Sequence, residues 1–378
     1  MKKTIFLIVM IITLGLFVIF TTNSRTDEDQ GRSFEKGRVL AIEDEISDLG
    51  FISKIQHCTV EILSGTFKGD IVEIENVLSD SYVMDIDVKV DQKVLLSIEQ
   101  YPDGHVEYYI ASEVRDSYIL ALVIIFALVL ILVGKRQGLK TILTLMVTVF
   151  FVFLVELPLL LKGYHAVWVT VLVAFFITVN TVTIISGLTK KGFAAIIGTL
   201  FGVVMAGGIS IFVSHQVKLT GMSSEEAVML MNIDGITFNF QHLLFAAILL
   251  GALGAVMDVA MSIASSIDAL HTVNPTLSRK DLFKAGMGVG RDVMGTMSNT
   301  LILAYTGSML PLLLLFMAHN DDFGRLINLD VMATEVIRSI AGSIGLVLTI
   351  PFTAFIMVMF IKDKRFSSKM KVTENMKE

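Results

Sequence analysis

One cysteine, Cys58, occurs in 378 residues, so no intrachain disulfide can form and no thiolate cluster can hold a metal. A lone thiol in a stretch of alternating polarity reads as a small buried apolar side chain. Charge is scarce as well: 17% of residues are charged against 54% hydrophobic, and the mean hydropathy is +0.73. Soluble domains of this length are not so apolar; multi-span membrane proteins are. A basic face is missing from the polar part of the chain. Residues 21–117 hold 9 Lys and Arg against 21 Asp and Glu, a net of −12, and with the whole chain at −6 the remainder carries +6. That acidity excludes nucleic acid and anionic lipid as partners of the segment. No Ala-x-Ala site follows the first apolar run, so "TTNSRT" reads as the exit of an uncleaved anchor rather than a processed leader.

What the sequence does have is apolar runs. A hydrocarbon core of about 30 Å needs about 20 residues of helix. Eight stretches meet that length: 4–20, 118–134, 141–161, 166–188, 193–214, 242–265, 295–318 and 337–361. Basic loops at 134–140, 189–192, 277–284 and 362–371 all fall on one side if the spans alternate, and such loops stay cytoplasmic. Both termini are then expected in the cytoplasm and residues 21–117 outside the plasma membrane. The predicted organisation is an anchor (1–20), an acidic tether (21–35), a β domain (36–115), a seven-helix membrane domain (118–361) and a basic tail (362–378). The fold class is thus an α-helical integral membrane protein of about eight spans, with a small extracytoplasmic all-β domain after the first helix.

Within 36–115 the polarity alternates with a period of two. "CTVEIL" (58–63), "DIVEIEN" (70–76), "QKVLLSIEQ" (92–100) and "HVEYYIA" (105–111) read as half-buried strands, with turns at 64–69 and 101–105. Five or six short strands in so few residues suggest an OB-like barrel serving as a cap or partner-docking module. His57 and His105 lack ligand spacing and read as strand or solvated residues.

The membrane helices raise a sharper question. At 100° per residue, Gly251, Asp258, Ser262, Ser265 and Ala269 share one face of the sixth span. Gly288, Asp292, Thr296, Asn299 and Thr306 do the same on the seventh, and Asn180, Thr183 and Gly187 line part of the fourth. An Asp at a helix centre costs roughly 2.5–3.5 kcal/mol, so something must offset it. No Lys or Arg lies deep enough to pair with Asp258. Depth counting sets Asp258 and Asn299 nearly level, with Asp292 nearer the cytoplasmic mouth, where Arg291 offers a local ion pair. The expected ion or substrate site is therefore Asp258, Asn299, Thr296, Ser262 and Asn180, with Asp292 at its entrance. Gly198, Gly202, Gly251, Gly254 and Gly295 are the expected close-packing positions, with Gly207 and Gly208 beside them. Pro351 is expected to kink the last span. Glu156 is expected to reach the interface near the outer end of the third, and "HTVNPTLSRKDLFKAGMGVG" (271–290) to lie along the inner surface. "GVG" in that loop follows no strand and is no nucleotide motif. No cofactor is called for.

"GALGAVMDVAMSIASS", "GRDVMGTMSNTLILAYTGSMLPLLLL" and "LSGTFKGDIVEIEN" resemble the YibE/F family of bacterial integral membrane proteins over nearly the whole chain. The resemblance implies a Gram-positive plasma-membrane protein with an extracytoplasmic β domain before seven further spans, and it transfers no residue roles. The reading is a permease or ion-coupled transporter for H⁺, Na⁺, a hard divalent ion or a small solute, not an enzyme. The alternative is a scaffold or sensor whose β domain recruits an extracytoplasmic protein. A remote third is an intramembrane aspartyl protease built on Asp258 and Asp292.

Overall fold

The computed structural model describes residues 32–46, 53–79, 85–233, 238–319 and 322–361. The expected anchor at 4–20, most of the tether and the basic tail lie outside the described residues. The chain divides into two units, one running up to Val133 and one from Gly134 onward.

The first unit is a five-stranded antiparallel sheet: β1 (Arg32–Ile46), β2 (Lys54–Ile62), β3 (Ile71–Leu78), β4 (Lys93–Gln100) and β5 (Val106–Glu113), in the order β3-β2-β1-β4-β5. The four expected strands fall on β2 to β5. β1 takes in residues 32–35 of the expected tether, because its first half pairs with β4 while its second half pairs with β2. Gly37 stands where the two pairings meet, opposite Ile62 and Val94. A Cβ there would lie 2.6 Å from Val60 Cγ1 and 2.9 Å from Leu96 Cδ1, so the crossing requires glycine. The register shifts between Val39 and Ala41, and such a bulge bends a strand. β3 and β5 share no ladder, which leaves an open half-barrel around Val39, Cys58, Val60, Leu96 and Ile98. Helix α1 (Asp116–Gly134) closes this unit; none of its residues is buried, and Lys36 pairs with Asp116 at its start. An apolar helix with no polar face is suited to lipid all round.

The second unit holds the remaining helices. These are α2 (Arg136–Leu161), α3 (Ala166–Ser186), α4 (Lys190–Gln216), the short α5 (Glu225–Met231), α6 (Phe240–Val273), α7 (Arg279–Ser308), α8 (Leu310–Ala318), the single-turn α9 (Phe323–Leu326) and α10 (Asp330–Phe360). With α1, six of these helices are long and apolar enough to cross a membrane, or seven if α7 and α8 form one bent span. Side-chain caps start several of them: Thr189 accepts from Gly192 N, Asn239 from His242 N, and Ser278 from Asp281 N.

Three expected boundaries change. α6 runs on to Val273, and α10 begins at Asp330. α7 begins at Arg279, so residues 279–290 are its first turns and not a surface element. Leu282, Gly286 and Gly290, spaced by four, are buried there against Ile267, Ala354 and Ile350. The span expected at 295–318 is broken at Met309 by 62°. Pro311 explains the break, since it lacks an N–H and disfavours helix in the residue before it. Pro351 does not interrupt α10.

α4, α6 and α10 pack mutually at the centre, with α7 on α6 and α10, and α3 between α2 and α6. The α4–α10 contact is close because Gly198 and Gly202 leave room for hydroxyls. A Cβ at Gly198 would sit 1.9 Å from Thr353 Oγ1, and one at Gly202 1.8 Å from Thr349 Oγ1. Those two glycines do the packing the spacing suggested.

Candidate functional site

α6 is the most enclosed of the apolar helices, yet one stripe of it stays open. Ala247, Gly251, Gly254, Asp258, Ser262 and Ala269 are exposed, while Leu249, Val256, Val259 and Ile263 are buried. Every residue of that stripe is small or polar. The exposed positions of α1 are instead mostly Leu, Val, Ile and Phe. The neighbouring α7 shows the same departure over a wider arc. It packs through Leu282, Gly286, Gly290 and Leu301 and leaves Arg291, Asp292, Gly295, Thr296, Asn299 and Thr300 exposed.

The two helices run antiparallel, and two contacts set their register. Gly290 meets Ile263, and Gly251 meets the Tyr305 hydroxyl, 2.4 Å from where a Cβ would be. Interpolating between them puts Asp258 level with about Thr296 or Met297, with Asn299 within about one turn. Asp292 lies about one turn away on the other side. Among the described residues Asp258 has no hydrogen-bond or ion-pair partner. Thr296 and Thr300 bond to backbone carbonyls of their own helix, at Val293 and Thr296, both at 2.9 Å. Asp292 and Arg291 are exposed and make no ion pair with each other among the described residues. Adjacent positions on a helix point about 100° apart, which separates the two side chains.

The remaining expected site residues are placed differently. Asn180 is buried on α3 and donates to Phe176 O at 2.8 Å. Gly254 and Gly295 meet nothing within 4 Å. Their small size keeps the wall low instead of packing helices inside the unit.

Glu156 does not reach the interface. It is 2% exposed, at the end of a π-helical stretch of α2, Phe150–Glu156, whose extra residue per turn rotates it inward. Its Oε1 accepts from Thr170 Oγ1 at 2.6 Å, and its Oε2 is buried with no partner among the described residues. Thr170 was readable from the chain. α2 and α3 are joined by residues 162–165, so positions equally far from Gly163 lie at one depth, and Glu156 and Thr170 are each seven residues from it. At the same end His165 and His242 face each other with ring centroids 4.3 Å apart. They border one cleft of about 250 Å³ with Leu160, Tyr164 and Asn239, and another of about 380 Å³ with Ser210, Ser214 and His215. No group of three or more His, Cys, Asp or Glu among the described residues could hold a metal.

Two family models match the chain. The model described as YibE/F-like protein covers residues 122–363, and that of the YibE/F family N-terminal domain covers residues 41–113. No curated protein and no solved structure matches it.

Proposed function

From its membership of the YibE/F family, shown by matches that span both the sheet and the helices, we propose that this membrane protein is a permease or ion-coupled transporter whose path runs along the open face of α6 and α7. One observation carries the proposal: Asp258 stands unpaired on an exposed stripe of small residues, level with the polar side of α7. Hydrocarbon cannot solvate such a face, so it borders water or a second protein surface. A low wall ending in a carboxylate, with Thr296 and Asn299 opposite, offers oxygen atoms of the kind that hold H⁺, Na⁺ or a hard divalent cation. Asp292 and Arg291 lie about a turn further along, where a cargo would enter. The one-turn offset between Asp258 and Asp292 weighs against a proton-sharing dyad, which needs the two carboxyls in contact.

Basic residues in the short connections and adjoining helix ends at residues 134–140, 189–192 and 277–284 support a cytoplasmic side there, and so an extracytoplasmic β unit. The order β3-β2-β1-β4-β5, with β1 shared by both neighbours, supports its OB-like reading.

The test screens H⁺, Na⁺, Mg²⁺ and Ca²⁺ for thermal stabilisation of the full-length protein in liposomes. A cation bound only by the native state, present at about 100 times its Kd, adds about 2.7 kcal/mol, and Asp258→Asn should lose that gain and any matching flux. Identical responses of the variant and the parent to every cation would end the proposal. Cysteines placed at Gly254 and Ser262, in a chain with Cys58 replaced by Ser, should react with a membrane-impermeant maleimide. Silence at both positions would mean that the wall does not face water.

A further inference from the structure

Glu156 takes no part in the α6–α7 wall, and its surroundings are unlike those of Asp258. Its carboxyl is enclosed by protein, holds one hydrogen bond from Thr170, and has a second oxygen with no partner among the described residues. A carboxylate so placed would bury a full negative charge against a single hydroxyl. α3, which packs against it, carries no ionisable side chain between Ala166 and Ser186. On α2 itself the charged residues are Arg136 and Lys140, and Lys140 is sixteen residues, or about 24 Å, along the helix. The ionisable groups at the near end are Lys162, Tyr164 and His165 in the connection, with the His242 ring tilted against that of His165. Burying an isolated ionised carboxylate costs far more than burying a neutral acid with one unmade hydrogen bond. The neutral form is therefore the one this enclosure holds.

A cleft opens at the same end, one helical turn from the pair, although Glu156 itself does not line it. Leu160, one turn from Glu156, and Ala166, one turn from Thr170, both line the 250 Å³ cleft beside His165 and His242. A volume of that size has room for several waters, and the two imidazoles can pass a proton between water and an acid. π-helical turns concentrate at functional sites, because they spend a backbone hydrogen bond to re-aim a side chain, here Glu156.

We propose that Glu156 and Thr170 form an intramembrane proton-binding site loaded from the cleft at His165 and His242. On loading, hydronium on the cleft side gives up one proton, its O–H bond breaking as the Oε2–H bond forms, and is left as water, while Oε1 goes on accepting from the Thr170 hydroxyl. The site needs neither Asp258 nor a cargo, so it stands or falls separately from the transport path.

The test uses the full-length protein in liposomes and dicyclohexylcarbodiimide, which adds only to a protonated carboxyl: the acid proton passes to a nitrogen and the carboxyl oxygen to the central carbon. The Glu156 peptide is quantified by mass spectrometry between about pH 5 and about pH 9. Labelling should fall at least about tenfold across that range. Labelling that is absent, or that stays constant with pH, would overturn the site, since a permanently neutral structural acid would not titrate. Infrared difference spectra should show a protonated carboxyl band that Glu156→Gln removes and that Thr170→Val moves to higher frequency. A band unmoved by Thr170→Val would overturn the pairing. After a rapid pH change, the double variant His165→Ala, His242→Ala should load about tenfold more slowly to the same final extent; an unchanged rate would overturn the route.

Discussion

Gln56 in the sheet and Glu156 in the helical unit are both almost fully enclosed, at 1% and 2% exposure, yet the protein treats them in opposite ways. The Gln56 amide uses its whole capacity: Nε2 donates to Asp44 Oδ1 and Val88 O, and Oε1 accepts from Val88 N and from Asn76 Nδ2. Among the described residues Glu156 has one bond and an oxygen without a partner. A buried polar group that is fully satisfied ties strands together and holds one geometry. One left half-satisfied stores an unmet demand, and a proton, water or cation can meet it. The first arrangement belongs to a scaffold and the second to a working part. The open face of α6 and α7 extends the contrast, because there polar groups are exposed along helices that are otherwise long and apolar.

The strongest challenge to this contrast is Asp258→Asn, which should abolish cation-dependent stabilisation and flux while the protein still inserts. Next in size is Gly202→Ala. Its Cβ would fall on Thr349 Oγ1 and come within 3.0 Å of the backbone at Gly345, so the α4–α10 contact must open at a cost of about 3 kcal/mol. Thermal aggregation of the reconstituted chain should shift accordingly, and an unchanged midpoint would show that α10 yields freely. Gln56→Ala should cost about 2–3 kcal/mol, because it strands Val88 N and O inside the sheet and takes one of the two bonds of Asn76 Nδ2, which keeps Ile86 O. Hydrogen exchange in β2 and β3 would report it; unchanged protection would mean that water replaces the amide.

The smaller effects are chemical. Burial pushes the Cys58 thiol up to about 11. Thiolate at neutral pH is then about 100-fold scarcer than for an ordinary cysteine, and a maleimide should react slowly until the chain is denatured. The sign follows directly. An acid raised on folding leaves stability intact below about pH 9 and erodes it as pH climbs toward 11, because the unfolded thiol ionises first. The smallest effect is at Glu107, whose carboxyl is held below its usual range by the hydroxyl of Tyr109 and then that of Tyr101. Its contribution is present above the ordinary carboxylate range and fades as pH falls through the lowered value, and Tyr109→Phe should bring it back toward ordinary titration in an NMR measurement.

Most of the architecture was legible in the chain because two simple periodicities govern it. A bilayer of fixed thickness demands an apolar run of fixed length, which marks the six long apolar helices from 118 onward and the bent pair α7 and α8. A half-buried strand demands alternation, which marks β2 to β5. β1 escaped because its charged first half, "RSFEKG", has no alternation of its own and becomes strand by pairing with β4. The start of α7 escaped because Arg279, Lys280 and Lys284 look like a surface helix, while Leu282, Gly286 and Gly290 beneath them meet Ile267, Ala354 and Ile350.

The site divides in the same way. The acid in α6 and the polar row in α7 are visible in sequence, since the price of a carboxylate among apolar residues is local and can be read without a partner. Burial is not local. Asn180 turned inward, Asp258 stayed open, and Glu156 was enclosed, and each outcome depends on which helix face meets a neighbour. Residue spacing alone set how deep these groups lie. Only the packing of α2 on α3, and the open position of most of the α6 stripe among the described residues, decided which of them are shielded and which are exposed.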